Sequence, residues 1–172
     1  MKIIERIQIN IPRFSIAIEV VKSFFTRTNK PGSSRCLPVK AYRQWTPYSC
    51  CASVFQMAAS YYGFRMSHPK AIKLTKCKPD GASLTHVARV LKCEFGLRPK
   101  SLRTRRDVRA ALKRGEPVIS NDSFTYAEDH AILVVGETAK GFYIADSVVG
   151  QIRWKHEDRF MAGASEFIAV RA

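Results

Sequence analysis

"RQWTPYSCCASVFQMAASYYGF", residues 43–64, is a polar, proline-bearing turn that runs straight into an apolar, alanine-rich segment. Cys51, Val54, Phe55, Ala58 and Tyr62 recur at helical spacing, and Gly63 is suited to the left-handed conformation that ends a helix. Ser49 is placed to cap the start, which puts Cys50 in the first turn. A thiol there is helped toward its thiolate by the positive end of the helix dipole. Neighbouring thiols do not readily bond to each other, so Cys50 and Cys51 call for different roles.

Downstream, "SLTHVARVLKCEF" (83–95) predicts a second helix with Ser83 as cap and Gly96 as stop, and "RRDVRAALKR" (105–114) a short basic third one closing at Gly115. The pattern then turns to strands at "EPVIS" (116–120), "HAILVVGE" (130–137), "FYIADS" (142–147) and "EFIAVRA" (166–172). "CLPVKAY" (36–42) reads as a short strand before the turn, and residues 1–35 as an extension of mixed pattern ending in the linker "TRTNKPGSSR". Helices first and an antiparallel sheet second predict an α+β fold over residues 36–172.

Composition narrows the class. A chain of 172 residues with 46% hydrophobic and 25% charged residues supports one domain with its own core. Residues 1–21 are interrupted by Glu5, Arg6, Pro12, Arg13 and Glu19, which excludes a signal peptide or membrane span and predicts a cytoplasmic protein. Five cysteines without a Cys-x-x-Cys pair fit neither a zinc knuckle nor a disulfide framework, and no metal or cofactor is expected. The net charge of +15 is uneven: residues 65–114 carry fifteen Lys and Arg against three acids, whereas 115–172 carry five against nine. Such a surface attracts an acidic peptide, an anionic membrane or nucleic acid. Without a stacking or helix-turn-helix signature, nucleic acid is the weakest of the three.

A cysteine nucleophile needs a base, and the base needs an orienting group. His68 in "SHPK" reads as a surface turn, His86 as the flank of the second helix, and His156 as part of the charged loop "WKHEDR". His130 opens the strand "HAILVVG", where loops present functional groups, and Asp146 ends the strand that a short hairpin makes its neighbour. Adjacent strands lie about 5 Å apart, within hydrogen-bonding reach for these two side chains. An amide from Gln44, curling back over Cys50, is suited to donate to a developing oxyanion beside the nucleophile's backbone N–H.

Taken in order, Gln44, Cys50, "SYYG" (60–63), "DGASL" (80–84), "HAILVVG" (130–136), "FYIADSVVG" (142–150) and "RF" (159–160) resemble the C39 peptidases, the bacteriocin-processing members of the papain-like group. The resemblance spans roughly residues 37–172. It implies a papain-like fold, with Cys50 as nucleophile, His130 as base, Asp146 as its orienter and Gln44 as oxyanion donor. Two departures stand out: Ser49-Cys50-Cys51 replaces the family's Asp-Cys-Gly, and Asp146-Ser147 replaces its Asp-Pro.

It further implies cleavage of an acidic, helical leader peptide after a Gly-Gly or Gly-Ala pair, with a separate transporter or secretion system as partner. The basic stretches "RVLK" (89–92) and "RPKSLRTRRDVR" (98–109) suit such a leader, with Arg103, Arg105, Arg106 and Arg109 as expected contacts. Two other readings of the same residues remain: a papain-like effector that deamidates glutamine or transfers acyl groups, and a catalytically silent peptide-docking domain.

Overall fold

The computed structural model describes residues 35–123 and 129–172, so the expected extension lies outside the described residues except for Arg35. Among those residues the chain forms an α+β fold of five helices on a seven-stranded antiparallel sheet. The helices are α1 (Cys50–Tyr61), α2 (His68–Thr75), α3 (Leu84–Phe95), α4 (Arg105–Lys113) and α5 (Glu157–Gly163). The strands are β1 (Arg35–Cys36), β2 (Lys100–Leu102), β3 (Val118–Asn121), β4 (Ala131–Thr138), β5 (Gly141–Asp146), β6 (Gln151–His156) and β7 (Phe167–Ala169). They run in the order β2-β7-β3-β4-β5-β6, and β1 adds to β4.

Helix α1 is more than amphipathic. Every residue from Cys50 to Ala59 is buried, because the helix packs on β4 on one side and on α2 and α3 on the others. Its small residues, Ala52, Ala58 and Ala59, permit that close approach, while Phe55 and Met57 fill the space between layers. Gly63, at φ +89°, follows its end. Ser83 caps α3 by accepting from the His86 N–H at 3.1 Å, and Thr104 and Asp107 form a reciprocal capping box on α4.

Strand β4 is the spine of the sheet and is buried from Ala131 to Gly136, as a strand covered on both faces must be. A register shift between Val134 and Gly136 interrupts its pairing with β5. On the other edge Cys36 pairs with Gly136, and an added Cβ there would sit 2.2 Å from the Arg35 carbonyl oxygen. Glycine is what lets β1 close on this strand.

Several elements differ from the sequence reading. Strand β1 is only two residues long, and 37–42 run on without ladder pairing beyond a Leu37 N–H bond to the Val135 carbonyl. The last strand is confined to Phe167–Ala169. Helix α2 stands where a surface turn was expected, started by Ser67 as N-cap with Pro69 in the first turn. Strand β6 and helix α5 replace the expected charged loop. As an edge strand, β6 alternates Ile152 and Trp154 with Arg153 and Lys155, so it lacks the apolar run of a central strand. Among the described residues no helix is long and apolar enough to cross a membrane.

Candidate active site

The fold brings the start of α1 to the mouth of β4. His130 immediately precedes β4, and its backbone carbonyl accepts from Asp122 N–H at 2.8 Å. Asp146 is the last residue of β5, and its Oδ1 lies 3.3 Å from His130 Nε2. The same Oδ1 accepts from Val148 N–H at 2.9 Å, while Oδ2 lies 3.5 Å from Arg153 Nη1. His130 and Asp146 are both buried. With Nε2 facing the acid, Nδ1 is left for Cys50, whose sulfur hydrogen-bonds the ring.

The electrostatics favour charge separation between thiol and imidazole. The Cys51 side chain, the His130 ring and the Ala131 N–H all bond to the Cys50 sulfur and outweigh its burial, lowering its pKa to about 4. Burial works against a charged His130, yet its bonds to Asp146 and Cys50 prevail and raise its pKa to about 9. Cys51 is pushed strongly upward, by its bond to Cys50 first and by burial second, so it stays a protonated donor. Its sulfur also lies within hydrogen-bonding distance of the Ala82 carbonyl, at 2.9 Å. All five cysteines are free thiols, and Cys77 is a third buried one, donating to the Tyr48 carbonyl at 3.1 Å.

Gln44 is held at the seam between helices and sheet. Its backbone N–H donates to the Ser147 carbonyl at 2.8 Å, and its Oε1 accepts from the Ser147 hydroxyl at 2.8 Å. Nε2 donates to the carbonyls of Thr46 at 3.0 Å and Pro47 at 2.9 Å, which engages both amide protons within its own loop. Ser147, standing where the resemblance leads one to expect proline, supplies a hydroxyl that proline lacks.

Sequence reasoning missed the group that holds this loop from behind. His68 is buried; its Nδ1 lies 3.1 Å from Gln56 Oε1 and its Nε2 3.2 Å from Ser49 Oγ. Gln56 is fixed in turn by donating Nε2 to the Met66 carbonyl at 2.8 Å, so Nδ1 carries the His68 proton. Ser49 Oγ accepts from Thr46 N–H at 3.1 Å instead of capping α1. Trp45, largely exposed, lies over the His68 ring at 5.4 Å between centroids. The Ser-x-Pro start of a helix was the available signal for His68. Replacing His68 by alanine leaves Gln56 Oε1 without its donor in the core, while Ser49 keeps its bonds to Thr46, and is expected to cost about 1–3 kcal/mol in urea unfolding.

The four arginines of the sequence reading divide into two pairs. Arg109 bonds Glu137 at 2.8 Å, Glu157 at 2.7 Å and the Thr138 carbonyl at 2.8 Å, and stands over the Phe142 ring. Arg105 pairs with Glu157 at 3.2 Å. Arg103, just before α4, and Arg106, in its first turn, are exposed and make no ion pair among the described residues. A cavity of about 400 Å³ opens beside Asp146, with Ile132 and Ile144 in its lining and Arg153, Trp154 and Arg159 around it. Among the described residues no group of three or more His, Cys, Asp or Glu side chains could hold a metal ion.

A thiol at a helix start, a histidine at a strand mouth and an acid on the neighbouring strand, set between a helical layer and an antiparallel sheet, make this a papain-like α+β protein. The peptidase C39 family model matches residues 39–168, and the chain belongs to that family. Its fold is similar to the peptidase domain of Streptococcus ComA, a bifunctional ABC transporter of a quorum-sensing pathway, with a TM-score of 0.68 and 18% identity over 77% of this chain and 98% of that one. A double-glycine-motif protease of an AMS/PCAT transporter, solved with its leader peptide, gives 0.67 and 18% over 84% and 99%. A C39-like peptidase from Bacillus anthracis gives 0.64 and 14% over 81% and 98%. A comparison with curated proteins found no match.

Proposed function

We propose that this protein is a cysteine peptidase that cleaves a peptide or protein substrate, with Cys50 as nucleophile, His130 as acid and base, and Asp146 as the group that orients His130. The observation that carries this reading is the Cys50–His130–Asp146 contact chain inside a C39-family fold. The Cys50 thiolate attacks the scissile carbonyl, and the His130 imidazolium gives its proton to the departing amine, leaving a thioester. Neutral His130 then takes a proton from water as the hydroxide adds, and the collapsing intermediate releases the carboxylic acid and restores the thiolate and imidazolium. Asp146 keeps Nε2 bonded and Nδ1 aimed at sulfur through both steps.

The Cys50 backbone N–H and the Gln44 amide are the proposed oxyanion donors. For Gln44 this requires the substrate to displace one of its loop bonds, and the exposed one to Pro47 is the candidate. The cavity beside Asp146 offers an apolar lining and cationic neighbours to the flanking substrate chain. A double-glycine-type site in an acidic leader fits both the family and the charge of the chain, and a cytoplasmic setting with a transporter as partner belongs to the same proposal. Arg103 and Arg106 remain docking candidates, whereas Arg105 and Arg109 already serve internal ion pairs.

The test is to incubate wild type and His130→Ala with peptides bearing an acidic helical segment, a Gly-Gly or Gly-Ala pair and a distant glutamine, and to read products by mass. Two fragments from wild type alone, split after the small pair, are the expected result. An intact peptide heavier by an amide-to-acid exchange would make the protein a deamidase, and an intact, unchanged peptide that still binds would make it a docking domain.

A further inference from the structure

The cavity of about 400 Å³ beside Asp146 is built by the register of three strands. Side chains alternate along a strand, so Ile132, two residues after His130, and Ile144, two before Asp146, share one face with those two residues. Leu133 pairs with Ala145, which sets Ile132 opposite Asp146, and Ile144 pairs with Arg153 on β6. The apolar floor is thus continuous with His130 and Asp146, and it ends at a guanidinium. In residues 115–172 acids outnumber Lys and Arg nine to five, yet three of those five, Arg153, Lys155 and Arg159, line this one cavity. Lys155 is already bonded to the buried Asp122 at 2.6 Å. Arg153 differs: it is exposed, and its one ion pair among the described residues is the 3.5 Å approach to Asp146 Oδ2. No hydrogen bond engages its five N–H donors among the described residues.

Resting on the peptidase reading above, we infer that this cavity takes the first residues after the scissile bond and that Arg153 selects an acidic side chain among them. Direction follows from the chemistry. The acyl half stays on Cys50 in the helical layer, whereas the amine departs with a proton from His130 on the sheet. The chain attached to that amine therefore runs over the sheet side, onto Ile132 and Ile144. Distance fits as well: from β4 to β6 is two strand spacings, about 10 Å, which about three extended residues span at ~3.3 Å each. A carboxylate on one of those three residues reaches the guanidinium while its backbone lies on the apolar floor. Charge sets the sign, since a lysine at the same place would meet Arg153, Lys155 and Arg159.

The experiment uses the full chain and matched pairs of peptides that share the small pair at the cleavage site. Each pair carries Glu or Lys at the first, second or third residue after it. At one of these positions wild type should give a kcat/KM roughly three- to tenfold higher for Glu than for Lys. Arg153→Gln should erase that ratio and Arg153→Glu should invert it, whatever either does to the absolute rate through its nearness to Asp146. A merely structural Arg153 would lower both members of a pair alike. Equal rates for Glu and Lys at all three positions, or a ratio unmoved by both variants, would overturn the proposal. Affinity is read separately by fluorescence anisotropy, with labelled forms of the same peptides and the Cys50→Ala chain, with and without Arg153→Glu. Tighter binding of the Glu peptide, reversed by Arg153→Glu, is expected. No cleavage by wild type with that affinity ratio intact would strike the peptidase reading and keep Arg153 as an acid-selecting contact. Cleavage without any ratio would strike the role of Arg153 alone.

Discussion

Cys50→Ala is expected to lower peptide cleavage by about 10⁶-fold, to the level left by binding and oxyanion contacts alone, because nucleophile and base act as a unit. Cys51→Ala is the informative partner experiment. Cys51 attacks nothing, so most activity at neutral pH should survive. What it supplies is the first of the bonds that hold the Cys50 thiolate, alongside His130 and the Ala131 N–H. The sign follows from the two groups. Cys50 is an acid with a lowered pKa, so thiolate is lost as pH falls through about 4. His130 has a raised pKa, so the proton needed by the leaving amine is lost as pH rises through about 9. Wild-type kcat/KM should therefore rise from pH 4, stay level through neutrality and decline above pH 9. In Cys51→Ala the acidic limb moves toward neutral pH and the plateau stays. Alkylation of Cys50 by iodoacetamide, followed by mass, gives the same limb without any substrate. An unshifted limb would mean that Cys51 only fills space, and an inactive Cys51→Ala beside an active Cys50→Ala would exchange their roles.

The second large effect is on stability. Arg109→Met should destabilise the fold by about 3 kcal/mol, since it leaves Glu137 and Glu157 in a poorly hydrated site without their shared cation. For a domain of this size that corresponds to a fall of roughly 6–12 °C in Tm. Arg109→Lys should recover only part of it, because an ammonium cannot bond two carboxylates and the Thr138 carbonyl with the planar fork of a guanidinium. If Arg109→Met melts like wild type and raises KM instead, the arginine belongs to substrate docking. Arg103→Glu with Arg106→Glu is the converse: exposed side chains whose reversal should leave Tm unchanged.

These two residues also show what the sequence could and could not yield. The helix starting at Cys50, the His130 strand and the Asp146 hairpin were legible because each rests on local chemistry: helical period, a glycine stop, alternation and a short turn. The ion pairs of Arg109 were not legible because α4 reads as a basic surface helix, and only the fold reveals that α5 and the end of β4 bring Glu157 and Glu137 to it. His68 was missed because "SHPK" was weighed as a turn although it also signals a helix start. Its partners at Gln56 and Ser49 are separated from it by a loop and a full helix. The edge strand β6 lacked the apolar alternation that made the inner strands visible, since a strand with one open side keeps charged residues.

The origin of the reacting groups has a consequence for biosynthesis. Cys50 comes from the helical layer, while His130 and Asp146 come from strands more than seventy residues later. The seam between them is closed by Gln44 and Ser147, partners of comparable separation. A growing chain therefore displays its thiol long before the imidazole and carboxylate exist, and contacts of such long range form only when the sheet is complete. On the proposed reading, the hydrolytic centre is thus absent from nascent and half-folded forms, and a ribosome-bound chain cannot yet attack itself or its neighbours.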